Sequence, residues 1–124
     1  MPFDPSTLIG ISKELSIGTS EAHIRSVINR AYYGVFGYLK DDLKIYSDGS
    51  SVHRDVYETL IRSLSVNKQI AGKKLEGFFV KRKEADYKYH LSFNSSSKEY
   101  WIKEAQEIIR LYNTPDDEDD DDEI

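Results

Sequence analysis

The chain contains no cysteine, one methionine, one tryptophan and three prolines among its 124 residues. Without cysteine there is no disulfide framework, no thiol nucleophile and no thiolate zinc site. That composition fits a reducing compartment and sets the expectation of a cytoplasmic protein. Long apolar runs are missing as well. No stretch approaches the roughly 20 residues that a membrane-spanning helix needs, so no membrane partner is expected. The opening MPFDPSTLIGIS has neither a basic n-region nor an apolar core and does not read as a secretory signal. Strand signals are absent too: nothing alternates with period two, and no Asn-Gly hairpin turn occurs. Gly72 and Gly77 do not follow a strand, so they do not make a phosphate-binding loop. The three histidines, at positions 23, 53 and 90, are too widely spaced to suggest a metal site, and no cofactor is expected.

What is present begins with an uneven charge. The formal net charge is −5, and the eight acids of residues 116–123 contribute −8, which leaves residues 1–115 at +3. A run of eight acids repels itself and has no apolar area to bury. The expected organisation is therefore one domain over residues 1–114 and a disordered acidic tail over 115–124. The tail reads either as a solubilising segment or as a phosphate mimic that competes with RNA for a basic surface.

Apolar spacing predicts helices throughout. In residues 20–44, Ile24, Val27, Ile28, Ala31, Val35 and Leu39 recur at steps of three and four, with Tyr32, Phe36 and Leu43 widening the stripe. This is the period of an amphipathic helix, and the other elements are arranged around it. A first helix is expected over residues 6–17. A third follows a YSDGSS loop and is capped by Ser50 or Ser51, with Val52, Val56, Leu60, Ile61 and Leu64 inward. A fourth is expected over residues 68–87, with Ile70, Ala71, Leu75, Phe78, Phe79 and Ala85 inward. Its outer side carries Lys73, Lys74, Lys81, Arg82 and Lys83, the candidate nucleic-acid-binding residues. Ser96 and Glu99 form a capping-box pattern ahead of a last helix with Trp101, Ala105, Ile108, Ile109 and Tyr112 inward. The fold class is all-α, an antiparallel bundle of four to five helices. Val27, Ile28, Ala31, Val35, Phe36, Phe79, Trp101 and Ile108 are expected in one core.

The long central helix has a second notable face. His23, Ser26, Arg30, Tyr33, Gly34 and Gly37 share it on a helical wheel. Two glycines inside a helix cost about 1 kcal/mol each relative to alanine, and close approach of another backbone is the natural compensation. That approach comes from a neighbouring helix or from a second copy of the chain, which makes Arg30, Gly34 and Gly37 a candidate dimer face.

Two segments carry a family resemblance. Residues 29–36, NRAYYGVF, resemble the RAYYAVF signature of HEPN domains, and residues 81–87, KRKEADY, resemble that family's later R-x-x-ADY element. His53 and the closing amphipathic helix also sit where the family pattern puts them, and the match covers about residues 6–112. The resemblance implies an α-helical bundle, often homodimeric, associated with RNA or nucleotides in toxin–antitoxin or anti-phage systems. A minimal nucleotidyltransferase antitoxin is the kind of partner it implies.

Many HEPN proteins are metal-independent ribonucleases that use an arginine followed four to six residues later by a histidine. No arginine of this chain has a histidine at that distance, and the interval from Arg82 to His90 is too long. Cleavage by 2′-hydroxyl attack needs a base, an acid and a cation to stabilise the phosphorane. His23, Arg30 and Arg82 are the candidates, with His23 of one chain meeting Arg30 of another across a dimer seam. The plainer readings are an Arg30–Asp86 salt bridge, an exposed His23, and a His53 that packs or caps; His90 is left open. Two functions therefore stand side by side. One is an RNA-targeting HEPN toxin or defence component with endoribonuclease activity. The other is a non-catalytic HEPN module that binds RNA, nucleotide or a protein partner.

Overall fold

The computed structural model describes residues 9, 21–87 and 96–116, without the side chains of residues 21, 86, 87, 96 and 97. Of the expected first helix only Ile9 is described, and it is helical and buried. The segment that carries His90 and residues 117–124 of the acidic tail lie outside the described residues. Within them the chain forms four helices and no strand: α1 (Glu21–Asp42), α2 (Val52–Ile61), α3 (Val66–Tyr87) and α4 (Ser96–Asn113).

The stripe of α1 is buried as its period requires. Ile24, Val27, Ile28, Ala31, Tyr32, Val35, Phe36 and Leu39 all lie in the core. The helix stops because Lys44 turns into the left-handed region at φ 58°. The Lys44 N–H then donates to the Asp41 carbonyl at 3.1 Å and the Ile45 N–H to the Lys40 carbonyl at 3.1 Å. This is the Schellman pattern, with lysine where glycine is usual. At the start of α2, Ser51 occupies the N-cap, yet its side chain makes no capping hydrogen bond. Val52, Val56 and Leu60 are buried. Leu64, expected in the same stripe, falls beyond the end of α2 and is 98% exposed.

A four-residue turn reverses the chain into α3, which begins at Val66 rather than near residue 68. Its first N–H groups have unusually good partners. The Asp116 carboxylate accepts hydrogen bonds from the Val66 N–H at 2.9 Å, the Asn67 N–H at 3.0 Å and the Ser65 hydroxyl at 2.9 Å. The Ser65 hydroxyl in turn accepts from the Lys68 N–H at 3.2 Å. A carboxylate and a serine satisfy the free donors of the first turn and sit at the positive end of the helix dipole. These bonds, the Asn67 N–H first, hold the Asp116 carboxyl below the usual carboxylate range. The first acid of the C-terminal run is thus fixed on the bundle. Asn67 is buried and donates its side-chain amide to the Thr114 carbonyl at 3.0 Å.

Ala71, Leu75, Phe78 and Ala85 of α3 are buried, and Phe79 packs partly buried against them. Ile70 was expected inward but is 40% exposed, along with Val66 and Val80. Apolar residues on more than one face of α3 make its core side ambiguous from period alone. Arg82, expected on the outer side with the lysines, is instead buried. At Gly72 a Cβ would lie 2.8 Å from the Tyr57 carbonyl oxygen, the Ile61 nitrogen and the Leu60 Cβ. Here α2 and α3 nearly touch backbone to backbone, a contact that only glycine permits.

In α4, Ile102, Ala105, Ile108, Leu111 and Tyr112 are buried, with Trp101 and Ile109 packed at the margin. The Tyr112 hydroxyl donates to the Asp42 carboxylate and ties the ends of α4 and α1 together. The main packing pairs α2 with α3 and α1 with α4, and α3 also contacts both α4 and α1. Of the expected core, Val27, Ile28, Ala31, Val35, Phe36 and Ile108 are buried in one cluster, and Phe79 and Trp101 lie partly buried against it. No described helix is long and apolar enough to cross a membrane.

Candidate functional site

The segments 29–36 and 81–87 converge on one cluster, and α2 supplies its centre. His53, in the first turn of α2, lies between Phe36 of α1 and Phe79 of α3. The ring centroids are 4.4 Å and 4.8 Å away, and the planes are 26° and 22° from parallel. Its Nδ1 is 2.6 Å from the Tyr32 hydroxyl. Burial pushes the Tyr32 phenol well above its ordinary range, so the hydroxyl keeps its proton. A neutral phenol can donate to Nδ1 or accept from it, so the direction of this bond follows the histidine tautomer. Burial first, and then the positive charges of Arg82 and Lys83, push the His53 pKa down. The ring is therefore neutral near pH 7.

Arg82 closes the cluster from α3. Its guanidinium carbon lies 5.4 Å from the Tyr32 ring centroid, 5.2 Å from Tyr33 and 5.4 Å from Phe79. A planar, weakly hydrated cation packs well against aromatic faces, where a lysine ammonium would lose more hydration. Tyr32 and Tyr33 reach it from adjoining faces of α1, and Phe36, four residues after Tyr32, stacks on the Tyr32 ring instead. Phe79 and Arg82 are three apart and share one side of α3. Near the same end, Arg25 donates from Nη1 to the Ala85 carbonyl at 2.7 Å. That bond places a cation on the negative end of α3.

The other candidate residues are dispersed. His23 and Arg30 are exposed on α1, about 10 Å apart along the axis. The Arg30–Asp86 pairing lies outside the described residues, because the Asp86 side chain does. Gly34 is already buried within the chain and Gly37 is half-buried. Lys73 and Lys83 are exposed. Lys74 forms an ion pair with Glu104 at 3.3 Å, and Lys81 pairs with Glu84 at 3.0 Å.

His53 is the functional candidate that sequence reasoning gave only a packing or capping role. It does pack, but it also shares a hydrogen bond with Tyr32 beside a buried cation. Nothing in the sequence places residue 53 against residues 32 and 79. Beyond Phe79 the cluster opens into a cavity of about 290 Å³ lined by Ser50, Ser51, Arg54, Tyr57, Phe79 and Lys83. Among the described residues no group of three His, Asp or Glu side chains is arranged to hold a metal ion. Comparison with family models, with curated proteins and with solved structures returned no match.

Proposed function

We propose that this chain is a HEPN-type module that binds single-stranded RNA or its nucleotides, working in a toxin–antitoxin or defence setting and acting by binding rather than by cleavage. The observation that carries this reading is the meeting of the two HEPN-like segments in one aromatic and cationic cluster that borders an open cavity. Aromatic rings offer stacking surfaces to bases, and Arg and Lys offer charge to phosphates. The +3 charge of residues 1–115 favours the same partners.

Binding is preferred to cleavage on chemical grounds. A general base must reach the 2′-hydroxyl within hydrogen-bond distance and needs a pKa near the working pH. His53 is neutral but clamped between two rings, with Nδ1 engaged by Tyr32. His23 and Arg30 stand two helical turns apart. The resemblance adds a homodimer and a nucleotidyltransferase partner to the proposal, and His23, Ser26 and Arg30 are the exposed part of the α1 face.

Fluorescence anisotropy with a labelled single-stranded RNA, alongside a nuclease assay, tests the reading. Expected are binding that weakens steeply as salt rises from about 50 to 200 mM, and an RNA left intact. Absence of both RNA and mononucleotide binding at low salt refutes it. Cleavage that is lost in His53→Gln and Arg82→Lys favours the ribonuclease reading instead.

A further inference from the structure

We propose that the cavity between the start of α2 and the C-terminal half of α3 holds a nucleotide by its terminal phosphate monoester, the phosphate between Arg54 and Lys83 and the base against Tyr57. This deepens the RNA- or nucleotide-binding reading above and rests on it. At about 290 Å³ the cavity is at the small end of the range of roughly 300–1,000 Å³ typical of ligand sites. It has room for one nucleotide rather than a stretch of strand.

Its lining separates by chemistry. Arg54 and Lys83 are both exposed cations, and no carboxylate is among the lining residues. The acids that act on Tyr57, Glu76 and Glu58, do not line the cavity. Ser50 and Ser51 add two hydroxyls, and the Ser51 side chain is not committed to capping α2. The N–H groups of the first turn of α2 also favour an anion, as a supplement to the two side-chain cations.

The aromatic part is built rather than incidental. Phe79 is held by its stack on His53 at 4.8 Å, and the Lys83 ammonium sits 5.2 Å from the Phe79 centroid. Tyr57 stands 6.2 Å from the same ring. Tyr57 therefore offers a stacking face beside a floor that cannot move without disturbing the cluster. The stack reads a π-face and not a hydrogen-bonding edge, so no strong base preference is expected.

Two cations match a particular anion. A phosphate monoester carries about −1.5 to −2 at pH 7, whereas an internal phosphodiester of RNA carries a single charge. The site should therefore prefer an end to the middle of a strand. A free mononucleotide and a phosphorylated RNA terminus share that chemistry, and the two sources are separated by experiment.

The full chain is titrated by calorimetry with adenosine 5′-monophosphate, its methyl phosphodiester and adenosine. The monophosphate should bind about tenfold or more tightly than either of the others. Arg54→Ala and Lys83→Ala should each weaken it by about the same factor, and Tyr57→Leu by less. Lys103→Ala, on α4 and exposed but not among the lining residues, should leave it unchanged. Arg54, Lys83 and Lys103 are exposed, whereas Tyr57 is half-buried against the core, and circular dichroism confirms that each variant is folded; Lys83→Gln and Arg54→Gln serve as milder alternatives.

In a second arm, RNA decamers with a 5′-phosphate, a 3′-phosphate or neither are compared. Tighter binding of a phosphorylated end, lost in the Arg54/Lys83 double variant, supports an RNA terminus as the ligand. Mononucleotide binding without any RNA binding supports the site and narrows the reading above to nucleotides. Equal RNA affinity whatever the terminus, with no preference for the monophosphate, overturns the site and leaves the RNA reading standing.

Discussion

Alanine at Gly72 and at Gly77 should move stability in opposite directions, although the two glycines lie five residues apart in one helix. Both substitutions gain helix propensity, about 1 kcal/mol each. At Gly77 a Cβ meets nothing within 4 Å, so the gain stands alone and Gly77→Ala should stabilise by about 1 kcal/mol. At Gly72 the new Cβ would sit 2.8 Å from three atoms of α2, and two of these, the Ile61 nitrogen and the Tyr57 carbonyl oxygen, are backbone. Backbone cannot swing aside as a flexible side chain would, so α2 and α3 must separate. Overpacking of this kind costs typically 1–3 kcal/mol, and the rigid partners argue for the upper end. After the propensity gain, Gly72→Ala should destabilise by about 1–2 kcal/mol. For a domain of this size 1 kcal/mol corresponds to roughly 4 °C in Tm, so the two variants should melt about 10 °C apart. Thermal melts followed by circular dichroism at 222 nm measure this directly. A Gly72→Ala protein that melts at or above wild type would refute the close approach of α2 to α3.

Further outcomes follow from individual contacts. His53 has a folded-state pKa below its ordinary value, so the unfolded chain binds the proton more readily. Its contribution to stability is complete above about pH 6.5 and is lost as pH falls toward the folded value. Urea titrations between about pH 5 and 8 should show this slope, and His53→Gln should flatten it. Arg82→Lys should destabilise by about 1–2 kcal/mol through lost contact with three rings, read as a lower urea midpoint. Lys44→Gly should stabilise by about 1 kcal/mol, because glycine adopts the left-handed turn at no steric cost. Asp116→Asn should lower Tm at pH 7, and the difference from wild type should shrink in acid as the wild-type carboxylate protonates. Competition between the acidic run and RNA is best tested by truncation after Asp116, since removal of Asp116 itself would also strip the cap from α3. From that anchor, Glu123 reaches about 25 Å at full extension, while Lys83 lies about 26 Å along α3 from Val66. The run is therefore expected to screen Lys73 before Lys83.

The sequence by itself determined the helical elements of the described regions and the buried stripe of α1. Its period-3.6 stripe is long, dense and bounded by breaks, so burial of that stripe against other helices was the available solution. Ala105, Ile108 and Tyr112 were legible in α4 for the same reason. The core face of α3 was not. Val66, Ile70 and Val80 are as apolar as the residues that are buried, and which of them meets solvent depends on where α2 and α4 lie. The role of Arg82 was hidden by the same cause, since a basic residue among lysines reads as surface until the rings of Tyr32, Tyr33 and Phe79 surround it. His53 and Tyr32 are 21 positions apart with no local signal linking them; only the antiparallel pairing of α2 with α3 brings that histidine between Phe36 and Phe79. The cap on α3 is the longest-range case. Local rules look for a capping side chain next to the helix, and Asp116 arrives from about 50 residues downstream because α4 packs across the bundle and delivers it there.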